Sequence, residues 1–390
     1  MPCKVQNAAP ALLLLAASAL GALPARAQWE IEDSHTTASL RGVDSVGNGT
    51  VWASGSEGTV LRSLDDGQLW QTCAVPPGAE KLDFRGVQAW DKDTAIVMSS
   101  GPGDQSRLYK TTDGCQSWKL VFTNPDKDGF WDAMQFYAGN GLNPLRGSKN
   151  GMLIGDPVNG VFVIFATSDS GETWRRWGDA GTRPAKAEHE ESLFAASNTS
   201  ILSPGINGEY CFVTGGKGGP RLLFEQSHSP FDGAFWLAFS NIKLPLPSGA
   251  SAGAFSIARR AEADGYSGRF VIVGGDYSKP NEGAAAIAFQ PKLLISVAAR
   301  AAQTPPHGYR SAVAYDASQK LWITVGPNGT DISTDDGKNW RALRPSDGDP
   351  ADADKNWNAL SLPFVVGPHG RIGRLRPITT QQRTQPVAAP

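Results

Sequence analysis

The chain has 390 residues with 36 basic and 38 acidic side chains, a formal net charge of −2, and 44 Gly, 27 Pro and 12 Trp against only 4 Met. Near-neutral charge with no basic tract argues against nucleic acid or an anionic membrane surface as partner, and this Gly, Pro and Trp usage points to many short strands and tight turns rather than long amphipathic helices.

Residues 1–27 read as a signal peptide. Lys4 precedes an apolar run over residues 8–23, broken only by Pro10, Ser18 and Gly21, and Ala25-Arg26-Ala27 offers a small-x-small cleavage site before Gln28. Removing Lys4 and Arg26 leaves 34 basic against 38 acidic residues, a net charge of −4. Cys3 lies before the apolar run, so no lipid-attachment cysteine follows it, and no later stretch is long enough to span a membrane. The expectation is a soluble periplasmic or secreted protein, monomeric, with no membrane span after cleavage.

The next elements fall into a repeating unit of four short strands. In the first unit they are residues 40–43, 50–54, 59–63 and 69–73; in the second, 84–87, 95–98, 107–110 and 118–121. Between the third and fourth strands stands a box of the form Ser/Thr-x-Asp-x-Gly-x-x-Trp. It occurs as Ser63-Leu64-Asp65-Asp66-Gly67-Gln68-Leu69-Trp70, as Thr111-Thr112-Asp113-Gly114-Cys115-Gln116-Ser117-Trp118, as Thr167-Ser168-Asp169-Ser170-Gly171-Glu172-Thr173-Trp174, and as Ser333-Thr334-Asp335-Asp336-Gly337-Lys338-Asn339-Trp340. The Asp folds its carboxylate back onto backbone N–H groups, the Gly supplies a positive φ, and the Trp plugs the adjacent core. Box starts at 63, 111 and 167 are 48 and 56 residues apart, and the 166 residues to 333 hold about three more units. One decayed box is legible at Ser229-Pro230-Phe231-Asp232-Gly233-Ala234-Phe235-Trp236; another is expected near Asn281-Glu282-Gly283.

A Gly-bounded turn gives an independent count. It recurs at Gly55-Ser56-Glu57-Gly58, Gly101-Pro102-Gly103, Gly155 to Gly160, Gly215 to Gly219, Gly274-Gly275-Asp276, Gly326-Pro327-Asn328-Gly329 and Gly367-Pro368-His369-Gly370, which makes seven. Repeated four-stranded antiparallel units around an axis form an all-β propeller, here seven-bladed over residues 28–375. The last unit supplies only three strands, near Trp357, Phe364 and Arg371, so the segment Trp29-Glu30-Ile31-Glu32 is expected to complete the last blade and close the ring. Residues 376–390, rich in Gln, Thr and Pro, are expected to form a loose tail.

Three cysteines follow the signal segment. Cys73 lies just after the first box Trp and Cys115 inside the next box, so a disulfide between neighbouring units is expected, with Cys211 buried and free; three unpaired thiols are the alternative.

The boxes resemble the Asp-box, or bacterial neuraminidase repeat, signature. Together with the Leu40-Arg41-Gly42-Val43 and Phe84-Arg85-Gly86-Val87 segments and Trp52-Ala53-Ser54-Gly55, they are similar to the photosystem II stability/assembly factor-like propellers, over nearly the whole chain after residue 27. That resemblance implies a chaperone-like or scaffolding role, binding an exported or membrane protein, without catalysis; no Gly-x-Gly-x-x-Gly stands in a strand-to-helix context, so no cofactor is expected. The same boxes occur in sialidases and xyloglucan-degrading hydrolases, which implies an enzyme as the competing reading and an extracellular glycan as the competing partner.

Function in a propeller is expected at the channel mouth, where the innermost strands begin. Superposing the repeats places Arg41, Arg85, Asp132, Glu191, an uncharged stretch at 251–254, Arg310 and Asn358 there, with His189 beside the acidic side. As a binding site, Arg41, Arg85 and Arg310 are forked donors for a partner carboxylate, with Asp132 and Glu191 completing a polar mouth. As a glycosidase, Asp132 would pair with Glu190 or Glu191 as acid and nucleophile or base, which requires a separation of roughly 5 to 9 Å. The box residues Asp65, Gly67, Trp70, Asp113, Trp118, Asp169, Gly171, Trp174, Asp335, Gly337 and Trp340 read as structural. Five scattered His without ligand spacing give no metal site, and Gly215 to Gly219 lacks the helix a phosphate cradle needs. Two insertions, 124–149 with several aromatics and 177–190 with many charges, are expected to approach the mouth.

Overall fold

Seven antiparallel sheets follow one another along the chain, built mainly from strands adjacent in sequence. The computed structural model describes residues 29–137, 148–178, 183–203, 210–228, 236–262, 268–290, 298–346 and 349–378. Blade one comprises Leu40–Gly47, Thr50–Gly55, Val60–Ser63 and Gln71–Thr72, and blade two Phe84–Ala89, Ala95–Ser99, Arg107–Thr111 and Lys119–Thr123. Blade three runs from Trp131–Phe136 to Arg175–Arg176, blade four from Ile201–Leu202 to Trp236–Lys243, blade five from Gly249–Ala261 to Ala298–Ala301, and blade six from Ala312–Asp316 to Arg341–Ala342. All seven Gly-bounded turns lie between the second and third strands of their blades.

The seventh blade is closed from the other end of the chain. Ala359–Ser361, Phe364–Val366 and Ile372–Leu375 form its inner three strands, and Trp29–Glu32 pairs with the last of them, Trp29 opposite Leu375 and Glu32 opposite Ile372. Buried side chains then form seven clusters, each shared by successive sheets. One holds Trp52, Phe84 and Tyr109 between blades one and two; the last holds Leu61, Trp70, Phe364 and Val366 between seven and one. Residues 376–378 continue this packing, since Ile378 is buried beside Trp357 and its N–H donates to Gln319. Residues 1–28, with the expected signal peptide, and 379–390 lie outside the described residues.

The four intact boxes make the same turn. The hydroxyl of Ser63, Thr111, Thr167 or Ser333 donates to the Asp two residues on, 2.8 Å in each case, and accepts the N–H of the residue four on. The same Asp oxygen accepts the N–H of Leu69, Ser117, Thr173 or Asn339. These donors favour the ionised carboxylate, and hydrogen bonds from Ser117 and Thr173 hold Asp113 and Asp169 down at about 2. The fifth box position has positive φ and no space: a Cβ on Gly67 would meet Glu32 and Phe364, and one on Gly171 or Gly337 would meet Ile96 or Val271. Each of those neighbours belongs to the preceding blade. Box two has Cys115 in this slot, at φ 64°, and its side chain joins the preceding blade covalently through a disulfide to Cys73. Cys211 is buried and is not part of a disulfide.

The decayed boxes are less regular. Residues 229–235 lie outside the described residues. Asn281-Glu282-Gly283 sits before the third strand of blade five, Gly283–Gln290, whereas a box follows a third strand; the corresponding residues, 291–297, also lie outside them.

Two stability predictions follow from these joints. Glu32 accepts the indole N–H of Trp70 at 2.9 Å where the closing strand meets box one, and burial pushes its carboxyl up to about 7. The folded state therefore holds the proton more tightly than the unfolded one. Glu32's contribution is intact below about pH 4.5, erodes as pH rises towards 7, and stays reduced above it. Glu32→Gln keeps the acceptor and removes the charge. Between pH 5 and 8 the unmodified protein should lose about 1–2 kcal/mol more stability in urea than the variant, allowing for the side chain's partial exposure; equal losses would show that Glu32 does not titrate in this way. Replacing Cys73 by Ser should cost about 2–4 kcal/mol through the loop that the bridge closes, read as a lower urea midpoint, with reductant producing the same drop in the unmodified chain.

Candidate functional site

The innermost strands open into the channel with one extra residue each. In blades one, two, three and five the pairing of the first two strands shifts register between Leu40 and Gly42, Phe84 and Gly86, Trp131 and Ala133, and Ala254 and Ser256. The unpaired residues are Arg41, Arg85, Asp132 and Phe255. A bulge of this kind re-aims one side chain out of the sheet's alternation, and here all four line one cavity of about 490 Å³ at the channel mouth. A small residue follows each bulge; on Gly42 a Cβ would lie 2.5 Å from Ser54 Oγ and 3.1 Å from the backbone of Val87 in the next blade.

The mouth is polarised. Arg85 donates from Nε to Asp83 at 2.8 Å and from Nη1 to the carbonyl of Ala195 at 3.2 Å. Arg41 lies 3.8 Å from Asp83, and its buried Nε has no hydrogen-bond partner among the described residues. Burial, and then the Arg85 charge, push the Arg41 pKa down. The acidic pole is Asp132, only 1% exposed, with Asp156 from the second strand of the same blade. Burial, then repulsion from Asp156, raise the Asp132 carboxyl well above its usual range, partly offset by Arg85; burial also raises Asp156. Asp156 Oδ1 accepts the N–H of Leu193 at 2.8 Å, whereas Asp132 Oδ2 is buried without a partner among the described residues. The opposite wall is aromatic: Phe194 stacks on Phe255 with centroids 4.2 Å apart, and Tyr277 and Tyr309 meet Phe255 edge-on. Among the described residues no group of three or more His, Cys, Asp or Glu could hold a metal ion.

The cavity therefore contains Arg41, Arg85 and Asp132 but not Glu191 or Arg310. The Glu191 side chain is fully buried, accepting from Thr214 Oγ1 and Arg221 Nε at 2.5 and 2.9 Å; its strand, Glu191–Ser192, pairs with Gly215–Gly216 at the flank of blade five's sheet. Blade four's innermost strand is Ile201–Leu202, ten residues later, so Phe194 to Ala196 reach the mouth instead. Arg310 is turned inward because Asp331 lies in the same blade's third strand: it donates to Asp331 from Nε at 2.8 Å, and to Asn328 and the Tyr309 carbonyl from Nη1. Glu190 is at the surface with Lys217 at 2.5 Å, and neither it nor Glu191 shares the cavity with Asp132, as the glycosidase pairing requires. The carboxylate that does accompany Asp132 is Asp156, in the Gly155 turn. Asn358 lines the cavity; His189 does not, and is 93% exposed.

Of the two insertions, Trp177 packs against Phe239 with centroids 5.5 Å apart and Lys186 bridges to Val161, so these two residues of the second lie along blades three and four. Residues 139–146 lie outside the described residues. Phe255 was legible in principle, because Ala254-Phe255-Ser256 repeats the apolar-x-small pattern of Leu40-Arg41-Gly42, one register beyond the 251–254 stretch.

No family model matches the chain. In sequence it is 28% identical over 128 residues to the photosystem II assembly lipoprotein Ycf48 of Synechococcus sp. (strain CC9902), a match spanning 32% of this chain and 32% of that protein. In structure it superposes on YCF48 from Cyanidioschyzon merolae with a TM-score of 0.57 at 18% identity, covering 90% of this chain and 99% of that one. The chain is a seven-bladed propeller similar in fold to YCF48. A structure of YCF48 bound to D1 peptide matches with a TM-score of 0.56 at 18% identity, over 89% and 96% of the two chains. An ancestral GH74 enzyme shares the fold at 0.54 and 13% identity, this chain covering 46% of it. No helix among the described residues is long and apolar enough to cross a membrane.

The inward pairing of Glu191 makes it a stability residue. Glu191→Gln leaves the buried Arg221 only the exposed Glu188, 3.6 Å away, as counter-ion and should cost up to about 3–5 kcal/mol, visible as a lowered urea midpoint. Ligand binding by the protein that remains folded should be unchanged; a binding defect without a stability defect would return Glu191 to the site.

Proposed function

We propose that this chain is an exported, monomeric, non-catalytic scaffold that holds a segment of another protein at its channel mouth. The observation that carries this reading is Arg41: a forked cation at the mouth with Asp83 no nearer than 3.8 Å and a buried Nε left without a partner. A buried guanidinium nitrogen without a partner is costly, and the part-exposed remainder of the guanidinium offers planar donors that a carboxylate fits. The neighbouring Arg85 adds a second fork, and the aromatic wall offers apolar contact to whatever adjoins that carboxylate. Likeness to Ycf48 supports a polypeptide as ligand, since a solved YCF48 holds a D1 peptide. The apolar run before Gln28 and the Cys73–Cys115 bridge support export to an oxidising compartment. The partner is accordingly an exported or membrane protein that presents an acidic segment or a free carboxyl end.

The test is a peptide array of exported and membrane-protein segments probed with the purified chain, beside Arg41→Ala/Arg85→Ala. Loss of one desolvated charge pair costs about 2–5 kcal/mol, so at least a tenfold loss of affinity is expected for peptides with a free carboxyl end. Equal binding by the double variant would remove the mouth from the function. Release of reducing ends from a polysaccharide panel, abolished by Asp132→Asn, would replace the scaffold with a hydrolase and the protein partner with a glycan.

A further inference from the structure

The cavity has a second pole that a carboxylate alone does not explain. Beside the two arginines, Asp132 and Asp156 line the same cavity and lie close enough to repel one another, and Asp132 also feels the charge of Arg85, so cationic and anionic poles belong to one small space. Asp132 Oδ2 is buried and unpaired among the described residues, although it lines the cavity. Asp156 is part-exposed, and its Oδ1 accepts the N–H of Leu193. A ligand bearing only an anion would bring it up against two carboxyl groups, and a ligand bearing only a cation would meet Arg41. A ligand carrying both, a few ångströms apart, satisfies each pole with its opposite.

We propose that the channel-mouth cavity binds a free zwitterionic α-amino acid with an apolar or aromatic side chain. Its carboxylate lies on Arg41 and Arg85, its ammonium on Asp156 with Asp132 behind it, and its side chain against the Phe194–Phe255 stack and Tyr277. The cavity, about 490 Å³, is of the size that encloses small organic ligands. Tyr277 is 53% exposed and Phe194 half-buried, so apolar surface is available to the ligand at the wall. An arriving ammonium also favours the ionised forms of both acids, which burial otherwise disfavours. The carboxylate half of this assignment rests on the reading given above; the ammonium half does not.

The experiment is isothermal titration of the full chain with L-phenylalanine and L-leucine, beside N-acetyl-L-phenylalanine, which lacks the ammonium, and L-phenylalanine amide, which lacks the carboxylate. Saturable binding of the free amino acids is expected, with each capped analogue at least tenfold weaker. Asp156→Asn should weaken L-phenylalanine at least tenfold and leave N-acetyl-L-phenylalanine within threefold; because Asp156 is part-exposed this variant should fold, which a thermal melt checks. Binding of N-acetyl-L-phenylalanine as tight as that of the free amino acid would overturn the ammonium site while leaving the carboxylate reading intact. Failure of every amino acid in a chain that still captures peptides would overturn the inference alone. Amino-acid binding without peptide capture would overturn the scaffold and leave the inference standing.

Discussion

The pairing of Trp29–Glu32 with Ile372–Leu375 is the constraint on which the rest of the molecule depends. A propeller blade has no core of its own; it buries its faces against the blades on either side, so the seven interblade clusters exist only in a closed ring. Without the closing strand, the third strand of blade seven would be an open edge, and Trp357 and Leu375 would lose Trp29. Ring closure also positions the mouth, because its cavity takes residues from blades one, two, three, five, six and seven. No pair of neighbouring blades could assemble it.

Closure explains the boxes as well. Their Gly slot is pressed against the preceding blade at Glu32, Ile96 and Val271, so the turn that ends each third strand is also a spacer setting the distance between sheets. Cys115 serves the same purpose by a different bond. A repeat under one steric constraint keeps a visible sequence pattern, which is why the box, the Gly-bounded turn and the missing outer strand were all legible from the residues alone. Blade four, whose box lies largely outside the described residues, is also where the superposition of repeats slipped. Counting from the box puts Glu191 at the mouth, but the chain spends ten further residues before its innermost strand, and a long insertion has no local signature that reveals where pairing resumes.

The site was legible where a bulge kept its local motif. Arg41 and Arg85 stand in Leu-Arg-Gly and Phe-Arg-Gly, and Asp132 in Trp-Asp-Ala, each with a small residue to accommodate the close neighbouring blade. Asp156 was not legible as a site residue, because it belongs to a Gly-bounded turn whose six sister turns are structural, and only the fold brings that turn beside Asp132. The aromatic wall was hidden for the same reason. Phe194 and Phe255 are 61 residues apart, and only the fold stacks them on one another.

Arg310 shows what decides whether such a residue serves the site or the scaffold. It begins blade six much as Arg41 begins blade one, yet its guanidinium is buried on Asp331, two residues before box Ser333. At that same distance before the other boxes stand Leu61, Tyr109 and Phe165. Blades one and two therefore offer their bulged arginine no carboxylate at that position of the third strand, and burying Arg41 or Arg85 there would strand a charge against an apolar side chain. The channel is the remaining direction that keeps those charges hydrated or paired. The polarity of the mouth thus follows from the third strands as much as from the first: where a strand supplies a counter-ion the charge is spent inside the blade, and where it supplies Leu or Tyr the charge is left facing whatever enters the channel.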